Sequence, residues 1–428
     1  MSILRRMRRF ALYAVHTPFF ICCLLLNFLG LRLRFAHIDS AAFGHFTCDS
    51  NLHYLYQIEN NYLLIVSIGP VSKVSNKAWF DYLSKEIFNV YPYSWVMVDL
   101  SKFWNASLHA TDFRRMGSFE PDSLQFFSKN NSIKLKPSLN EESEKFLRSK
   151  GWKGQPIIGL VVRDDAWYKK INASDANNQV ISDSTRNLVT LEDYYPTIEY
   201  LLASGFYVVR IGSAAETSLR DDYPAVLDLP FEYMAPEILH IWLYMNSHLI
   251  INSGSGPFHF ASFYGVQTLW IGAHTIAYLY SDCMVRYLPA KLFAKVNGCR
   301  KQLCLLQQLM IRTTRLKELE KFGVEIEKPS SQLILQSVEQ LLREMSNGLK
   351  YAPEHVDLMN QYLNVVKYFD LIFHKLDGYN VWKGFSFPSL FSPDFSVCPR
   401  FLETCEENYF ELDLMVSNEI ISLARSGW

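Results

Sequence analysis

The sequence has little that would bind nucleic acid or a metal ion. Its 428 residues carry a formal net charge of −1, and no strongly basic stretch stands out beyond the N-terminus. A chain of that charge lacks the electrostatic footprint of a nucleic-acid-binding protein. The eight cysteines are scattered without a C-x-x-C pair, and no histidine cluster has metal-ligand spacing. We interpret the thiols as reduced and the compartment as cytosolic.

Length and apolar content predict two α/β domains. A chain of 428 residues exceeds one typical domain, and 49% of its residues are hydrophobic. Apolar runs at 156–162 and 206–212 flank a helical pattern at 191–203. This alternation predicts a parallel sheet covered by helices on both faces. The predicted organisation is an N-terminal segment over 1–33, α/β domains over 34–150 and 151–347, and a helical C-terminal extension over 348–428.

The segment from Leu249 to Ala261 has the pattern of a strand, a small polar loop and a helix start. The strand is the apolar run 249–251, the loop at 253–256 alternates serine with glycine, and Pro257 suits a first helical turn. Such a junction offers unpaired backbone N–H groups and the positive end of a helix dipole, which together bind phosphate. A Gly-Ser turn in an ordinary α/β domain has the same pattern, so both interpretations stay open.

Three predicted strand ends carry polar or glycine residues. Arg163 follows one apolar run, Gly212 and Ser213 end another, and Ser253 begins the loop after a third. Ligands of parallel sheets bind at the carboxyl ends of the strands, so these residues predict a binding site at one edge. Arg163 is the leading diphosphate ligand because a guanidinium bonds two phosphate oxygens at once. A salt bridge to one of the two aspartates that follow it is the alternative.

Arginines followed by a long apolar stretch open the chain. No acidic residue occurs between Phe10 and Leu33. A cleaved signal peptide needs a small-residue cleavage site that this stretch lacks, and a spanning helix would be kinked at Pro18. A helix that lies on anionic lipid, held by the arginines of 5–9, fits a cytosolic enzyme better, so we predict peripheral or single-anchor attachment to the inner-membrane surface. Packing of this helix against its own protein is the alternative.

The polar loop and the helix start resemble the donor-site signature of the ADP-heptose:lipopolysaccharide heptosyltransferase family. That signature is D-[ST]-G-P-x-H-L-A followed by G-x-P-T. The residues that match its first part are Ser255, Gly256, Pro257, His259 and Ala261. Gly254 stands in place of the family's acidic residue, which helps to hold the donor, and Gln267 stands in place of its proline.

A bacterial group of surface-polysaccharide glycosyltransferases resembles the chain over most of residues 1–345. The shared features are a basic and apolar N-terminal segment and the motifs Gly44-His45, Val162-Arg163-Asp164, Arg186-Asn187, 194–201 and 205–212. Ala42 stands where that group has an arginine. The resemblance implies a GT-B fold, in which two Rossmann-like domains face a cleft. It also implies a nucleotide-sugar donor, a glycan or lipid-linked acceptor, and a place on the cytoplasmic side of the inner membrane.

Glycosyl transfer needs a stabilised leaving diphosphate and a base for the acceptor hydroxyl. The predicted donor-binding residues are Arg163, Gly212, Ser213, Ser253, Gly254, Ser255, Gly256 and His259. For His259, packing under the loop is the alternative. His45 is the first candidate for the base and Asp39 the second, because both lie in the predicted first strand-end loop. A buried core histidine and a helix-capping aspartate are their respective alternatives.

No metal or other cofactor is expected. No D-x-D motif follows a predicted strand, and an arginine with a helix N-terminus can neutralise a diphosphate in place of a cation. The sequence therefore predicts a glycosyltransferase of surface polysaccharide biosynthesis. The alternatives are a catalytically inactive nucleotide-sugar-binding subunit of a membrane polysaccharide assembly complex and a GT-B-shaped sugar-nucleotide epimerase.

Overall fold

The computed structural model has a mixed α/β architecture. It describes residues 3–90, 132–164, 166, 185–254, 256–273, 284–296, 299–311, 315–321, 323–348, 351, 353, 355–362, 364–365, 396–405 and 409. The sequence pattern also predicts a strand over 95–100, and that segment lies outside these ranges. By its contacts the chain divides into two compact units, Met1–Ser143 with Pro236–Trp242 and Glu144–Ala235 with Leu243–Trp428. The predicted boundaries at 33, 150 and 347 stay predictions.

The first unit contains a parallel three-stranded sheet with strand order β1-β2-β3. Its elements are α1 Ile3–Phe28, β1 Leu33–Asp39, α2 Phe43–Asn60, β2 Leu63–Gly69, α3 Lys77–Tyr82 and β3 Asn89–Val90, and α4 Pro137–Ser149 begins in this unit. The apolar patterns of 31–38 and 62–68 predict two strands, and both form because apolar residues such as Phe35, Ile38 and Val66 are buried. The sequence predicts a loop over 39–45 and a helix over 46–56, but α2 begins at Phe43, so His45 lies in its first turn and not in a loop.

Acidification is expected to destabilise the first unit through His53. Burial, and to a lesser extent the neighbouring His37, lowers the pKa of this α2 side chain from 6.5 to about 4. Below pH 6.5 the unfolded chain therefore binds a proton that the folded chain does not. The free energy of unfolding should fall by about 1.4 kcal/mol per pH unit between pH 6.5 and about 4. Urea unfolding across that window measures this fall, and an equally steep fall in His53→Gln would contradict it.

The second unit contains a parallel seven-stranded sheet with strand order β13-β9-β8-β7-β4-β5-β6. Its elements are β4 Ile157–Val161, α5 Tyr195–Ala203, β5 Tyr207–Arg210, β6 Leu227–Asp228, α6 Ile238–Asn246, β7 Leu249–Asn252, α7 Phe258–Ser262, β8 Gln267–Ala273, β9 Val285–Pro289, β10 Lys291–Val296, β11 Cys299–Gln302, α8 Leu305–Met310, α9 Leu316–Lys321, β12 Val324–Glu327, α10 Ser331–Ser346, β13 Ser396–Val397 and α11 Pro399–Glu403. The first residues of α6 belong to the first unit. β10, β11 and β12 form a separate antiparallel sheet.

The central strands of this sheet are buried on both faces, and most of their residues are apolar. Every residue of β4, β5 and β7 is buried. At Gly159 in β4, a Cβ atom would lie 2.5 Å from Cδ1 of Ile250 and 2.7 Å from Cδ1 of Ile211. Glycine there lets neighbouring side chains fill the space over the strand, so the residue serves packing.

The described part of the predicted helical C-terminal extension contains one short strand besides its helical residues. β13 adds a parallel edge strand to β9, with Ser396 opposite Arg286 and Val397 opposite Tyr287. Tyr362 and Phe401 are fully buried in the same core as the central strands. A two-residue strand has no pattern of its own, so the sequence could not distinguish it from a loop.

Candidate functional site

The carboxyl ends of β4 and β7 are joined by hydrogen bonds. The backbone N–H of Arg163 donates to Oγ of Ser253 at 2.8 Å, and the backbone N–H of Ser253 donates to the carbonyl of Val161 at 3.0 Å. The guanidinium of Arg163 reaches the carbonyl of Gly254 at 3.4 Å. The structure thus brings together two of the three predicted strand ends, at adjacent strands of one sheet.

These two strands flank the point where the strand order reverses. From β4 the chain moves outward through β5 to β6, and it then returns to the other side of β4 with β7, β8 and β9. This is the strand order of doubly wound nucleotide-binding sheets, whose ligands bind in the crevice outside the carboxyl ends at the reversal. Arg163, Ser253 and Gly254 lie at the carboxyl ends of the two strands beside this reversal.

Of the loop residues after β7 that the structure describes, two are buried and one is exposed. Ser253 and Gly254 are buried and Gly256 is exposed, while Ser255 lies outside the described residues. Gly254 has a φ of 81°, a left-handed conformation that favours glycine. The Ser253 hydroxyl accepts the Arg163 N–H and contacts the Val161 carbonyl at 3.4 Å. The Ser253 hydroxyl is therefore engaged in linking the two strands. Its predicted role as a diphosphate ligand stays a prediction, and these bonds do not favour it.

The helix expected near Pro257 begins at Phe258 and is five residues long. A helix of a single turn has a small dipole, so the anion-binding argument depends on individual N–H groups and on Arg163 more than on the dipole. His259 in this helix is fully buried, and its ring centroid lies 3.8 Å from that of Phe258. This packing supports the alternative that His259 lies under the loop.

The segment after β5 completes the crevice edge on the other side of β4. Gly212 is half-buried, and a Cβ atom there would lie 3.3 Å from Cγ of Pro230. Ser213 is exposed. Because β5 pairs with β4, all three predicted strand ends do lie along one edge of the sheet.

A buried charge network at this edge was not predicted from the sequence. Arg210, the last residue of β5, lies 3.6 Å from the Asp228 carboxylate and 3.7 Å from the Asp164 carboxylate. Burial lowers the pKa of Arg210, and the two carboxylates oppose that shift. Asp164, which the sequence offered as a partner of Arg163, therefore pairs with Arg210. The sequence feature that could have indicated this network is the presence of basic and acidic residues at three successive strand ends.

The two predicted base residues lie in the first unit, at the carboxyl end of β1. Asp39 is the last residue of β1 and is exposed, and its Oδ1 accepts the backbone N–H of Ala41 at 2.9 Å. This bond closes a turn, so Asp39 does not cap α2, whose N-cap is Ala42. His45 is exposed, which excludes a buried core histidine. Their catalytic roles stay predictions.

Across the ranges that the structure describes, no three His, Cys, Asp or Glu side chains gather to hold a metal ion. The expectation of a metal-free reaction remains an expectation.

The apolar side chains of the N-terminal helix α1 whose burial the structure describes are mostly exposed. Phe19 contacts the Phe35 ring at 6.0 Å between centroids, and Cys23 is buried. Beyond that narrow contact, Leu25 is 60% exposed and Phe28 is 90% exposed. Packing against the protein therefore does not cover these described apolar side chains of α1. None of the helices in the described ranges is long and apolar enough to cross a membrane.

Comparisons with known proteins returned two solved structures. One is a glycosyl transferase family 9 protein from Veillonella parvula DSM 2008, with 11% identity, a TM-score of 0.43, and coverage of 73% of this chain and 98% of that chain. The other is ADP-heptose lps heptosyltransferase II from E. coli, with 12% identity, a TM-score of 0.36, and coverage of 68% of this chain and 97% of that one. No family model matches the sequence, and no curated protein matches it.

Proposed function

We propose that this protein is a glycosyltransferase that moves a sugar from a nucleotide-sugar donor to a glycan or lipid-linked acceptor in bacterial surface polysaccharide biosynthesis. The observation that supports it best is the position of Arg163 and the loop 253–256 at the strand-order reversal between β4 and β7. Nucleotides bind at that position in doubly wound sheets. The resemblance of the loop to the heptosyltransferase donor motif supports the same donor class.

In this proposal Arg163 and the loop bind the leaving diphosphate. A guanidinium and backbone N–H groups stabilise the negative charge that develops on the leaving phosphate oxygens. His45, with Asp39 as the second candidate, takes the proton of the acceptor hydroxyl. The exposure of both side chains leaves them accessible to an acceptor. A GT-B arrangement, and a reaction that needs no metal or other cofactor, are parts of this proposal.

A catalytically inactive nucleotide-sugar-binding subunit is the second candidate. Gly254 favours it, because its φ of 81° suits glycine, whereas the related donor motif has an acidic residue there. Ala42 favours it too, because the N-cap of α2 offers only a methyl group where the related group has an arginine.

Binding and turnover separate these candidates. Thermal shift with ADP, GDP, UDP and CDP sugars identifies the donor, and release of the nucleoside diphosphate from that donor is then followed over time. We expect stabilisation by one nucleotide class and slow hydrolysis of its sugar. Stabilisation without any release favours the inactive subunit, and no stabilisation by any of the four classes contradicts the proposed donor.

We also propose that α1 lies on the cytoplasmic surface of the inner membrane. The exposed apolar residues of this helix and the arginines at its start suit an anionic lipid surface.

Leu25→Glu combined with Phe28→Glu is expected to abolish co-sedimentation with phosphatidylethanolamine–phosphatidylglycerol vesicles. Both side chains are exposed, so the charges should disrupt lipid contact while the fold is kept. Met234→Glu, at an 85% exposed position of the second unit, is the matched control and should still sediment. Unchanged sedimentation of the double variant would place the lipid contact elsewhere.

A further inference from the structure

Two consecutive residues just after β4 form hydrogen bonds to different neighbouring segments. Arg163 bonds towards the loop after β7, through its N–H to Ser253 and its guanidinium to Gly254. Asp164 bonds towards the segment after β5, because its Oδ2 accepts the backbone N–H of Glu216 at 2.9 Å. β4 lies between β7 and β5 in the sheet, so this pair of residues connects both sides of the crevice.

The Asp164 carboxylate also contacts the buried pair of Arg210 and Asp228. The side chains of Arg210 and Asp228 are 2% and 0% exposed, and that of Asp164 is 22% exposed. Charges so far from water hold their partners strongly, since a broken bond leaves an uncompensated buried charge.

The buried pair holds the backbone of the segment after β5 at several points. Arg210 donates to the carbonyl of Thr217 at 2.6 Å, and the Asp228 carboxylate accepts the backbone N–H of Leu219 at 2.8 Å. Together with the bond from Glu216 to Asp164, the network bonds the backbone at three places between 216 and 219.

We propose that Asp164 is a positioning residue that couples the two sides of the nucleotide crevice. It holds the segment 212–217 in the conformation that binds the nucleoside part of the donor. Through the adjoining backbone it also holds Arg163 in position to bind the diphosphate. The ligand assignment rests on the proposed function, whereas the coupling itself does not. Asp164 contacts no reacting atom in this proposal, so it governs donor affinity.

Hydrogen exchange of the ligand-free protein tests the coupling. In Asp164→Asn, which keeps the shape and removes the charge, the amides of Glu216, Arg163 and Ser253 should exchange about tenfold faster. Arg220→Gln is the matched control. It removes an ion pair between exposed Arg220, in the segment after β5, and half-buried Glu232, and it should leave these amides unchanged. Faster exchange at Glu216 alone would overturn the coupling.

Ligand affinity tests the positioning role separately. With whichever of ADP, GDP, UDP or CDP binds, Asp164→Asn should weaken both that diphosphate and its nucleoside by about tenfold, whereas a purely local effect on Arg163 would spare the nucleoside. In an Arg163→Ala background, Asp164→Asn should lower the affinity for the diphosphate by a smaller factor than it does in the wild type. Additive effects of the two substitutions would overturn the proposal. If none of the four diphosphates binds, the proposed function fails, and the exchange experiment still decides the coupling.

Discussion

Arg163→Ala is expected to weaken the binding of a nucleoside diphosphate by about 1.5–3 kcal/mol, the usual range for a charge-assisted hydrogen bond. The side chain stands at the strand-order reversal, and its guanidinium reaches the carbonyl of Gly254 in the adjacent loop. The substitution keeps the backbone N–H that bonds Ser253, so the ends of β4 and β7 should stay joined. Isothermal titration with the diphosphate identified by thermal shift measures the loss.

Two comparisons make this result specific. The nucleoside without phosphates should bind Arg163→Ala and the wild type alike, because the lost contact is to phosphate. Arg220→Ala removes an arginine that bonds Glu232 in the same unit, and it should leave the diphosphate affinity unchanged. Equal losses for the diphosphate and the nucleoside would make Arg163 a structural residue.

Gly256→Val is expected to remove detectable donor binding while the second unit stays folded. Gly256 is an exposed residue of the loop at the crevice, where a branched side chain would occupy the space that a phosphate needs. The fold should survive because the apolar residues of β7 and α7 remain buried. Titration with the nucleoside diphosphate and circular dichroism of the same samples measure both effects.

Ala225→Val is the matched control for this substitution. It adds the same side chain at an exposed position of the same unit, away from the described loop, and should bind the diphosphate as the wild type does. Unchanged affinity in a folded Gly256→Val protein would mean that the loop is only a turn, and the proposed donor site would then be wrong.

Much of the fold could be predicted because its signals are local. The buried runs that form β4 and β7 are continuous and apolar, and α10 buries Ile334, Val338 and Leu341 at helical spacing. Element ends were less predictable, since α2 begins at Phe43 and α7 ends after a single turn. Such boundaries depend on caps and neighbouring packing, which sequence periodicity does not contain.

Some features of the candidate site could likewise be predicted from the sequence, and others could not. Polar strand ends were visible in the sequence, and Arg163 and Ser253 do meet at one edge of the sheet. The hydroxyl of Ser253 and the ring of His259 are engaged within the protein, which their residue types alone did not reveal. Asp164 pairs with Arg210, which is 46 positions away in the sequence, and not with the arginine beside it in the chain.

The long buried strands, the position of the glycine-rich loop and the residue types at the strand ends could be read from the amino-acid order, because these properties depend on neighbours in the chain. The place of β4 between β5 and β7 became visible only in the folded chain. From that order it follows that Arg163 contacts the loop after β7 and that Asp164 contacts Arg210, which also pairs with Asp228. Strand order is fixed by packing among distant residues, and the contacts at the crevice follow from that order.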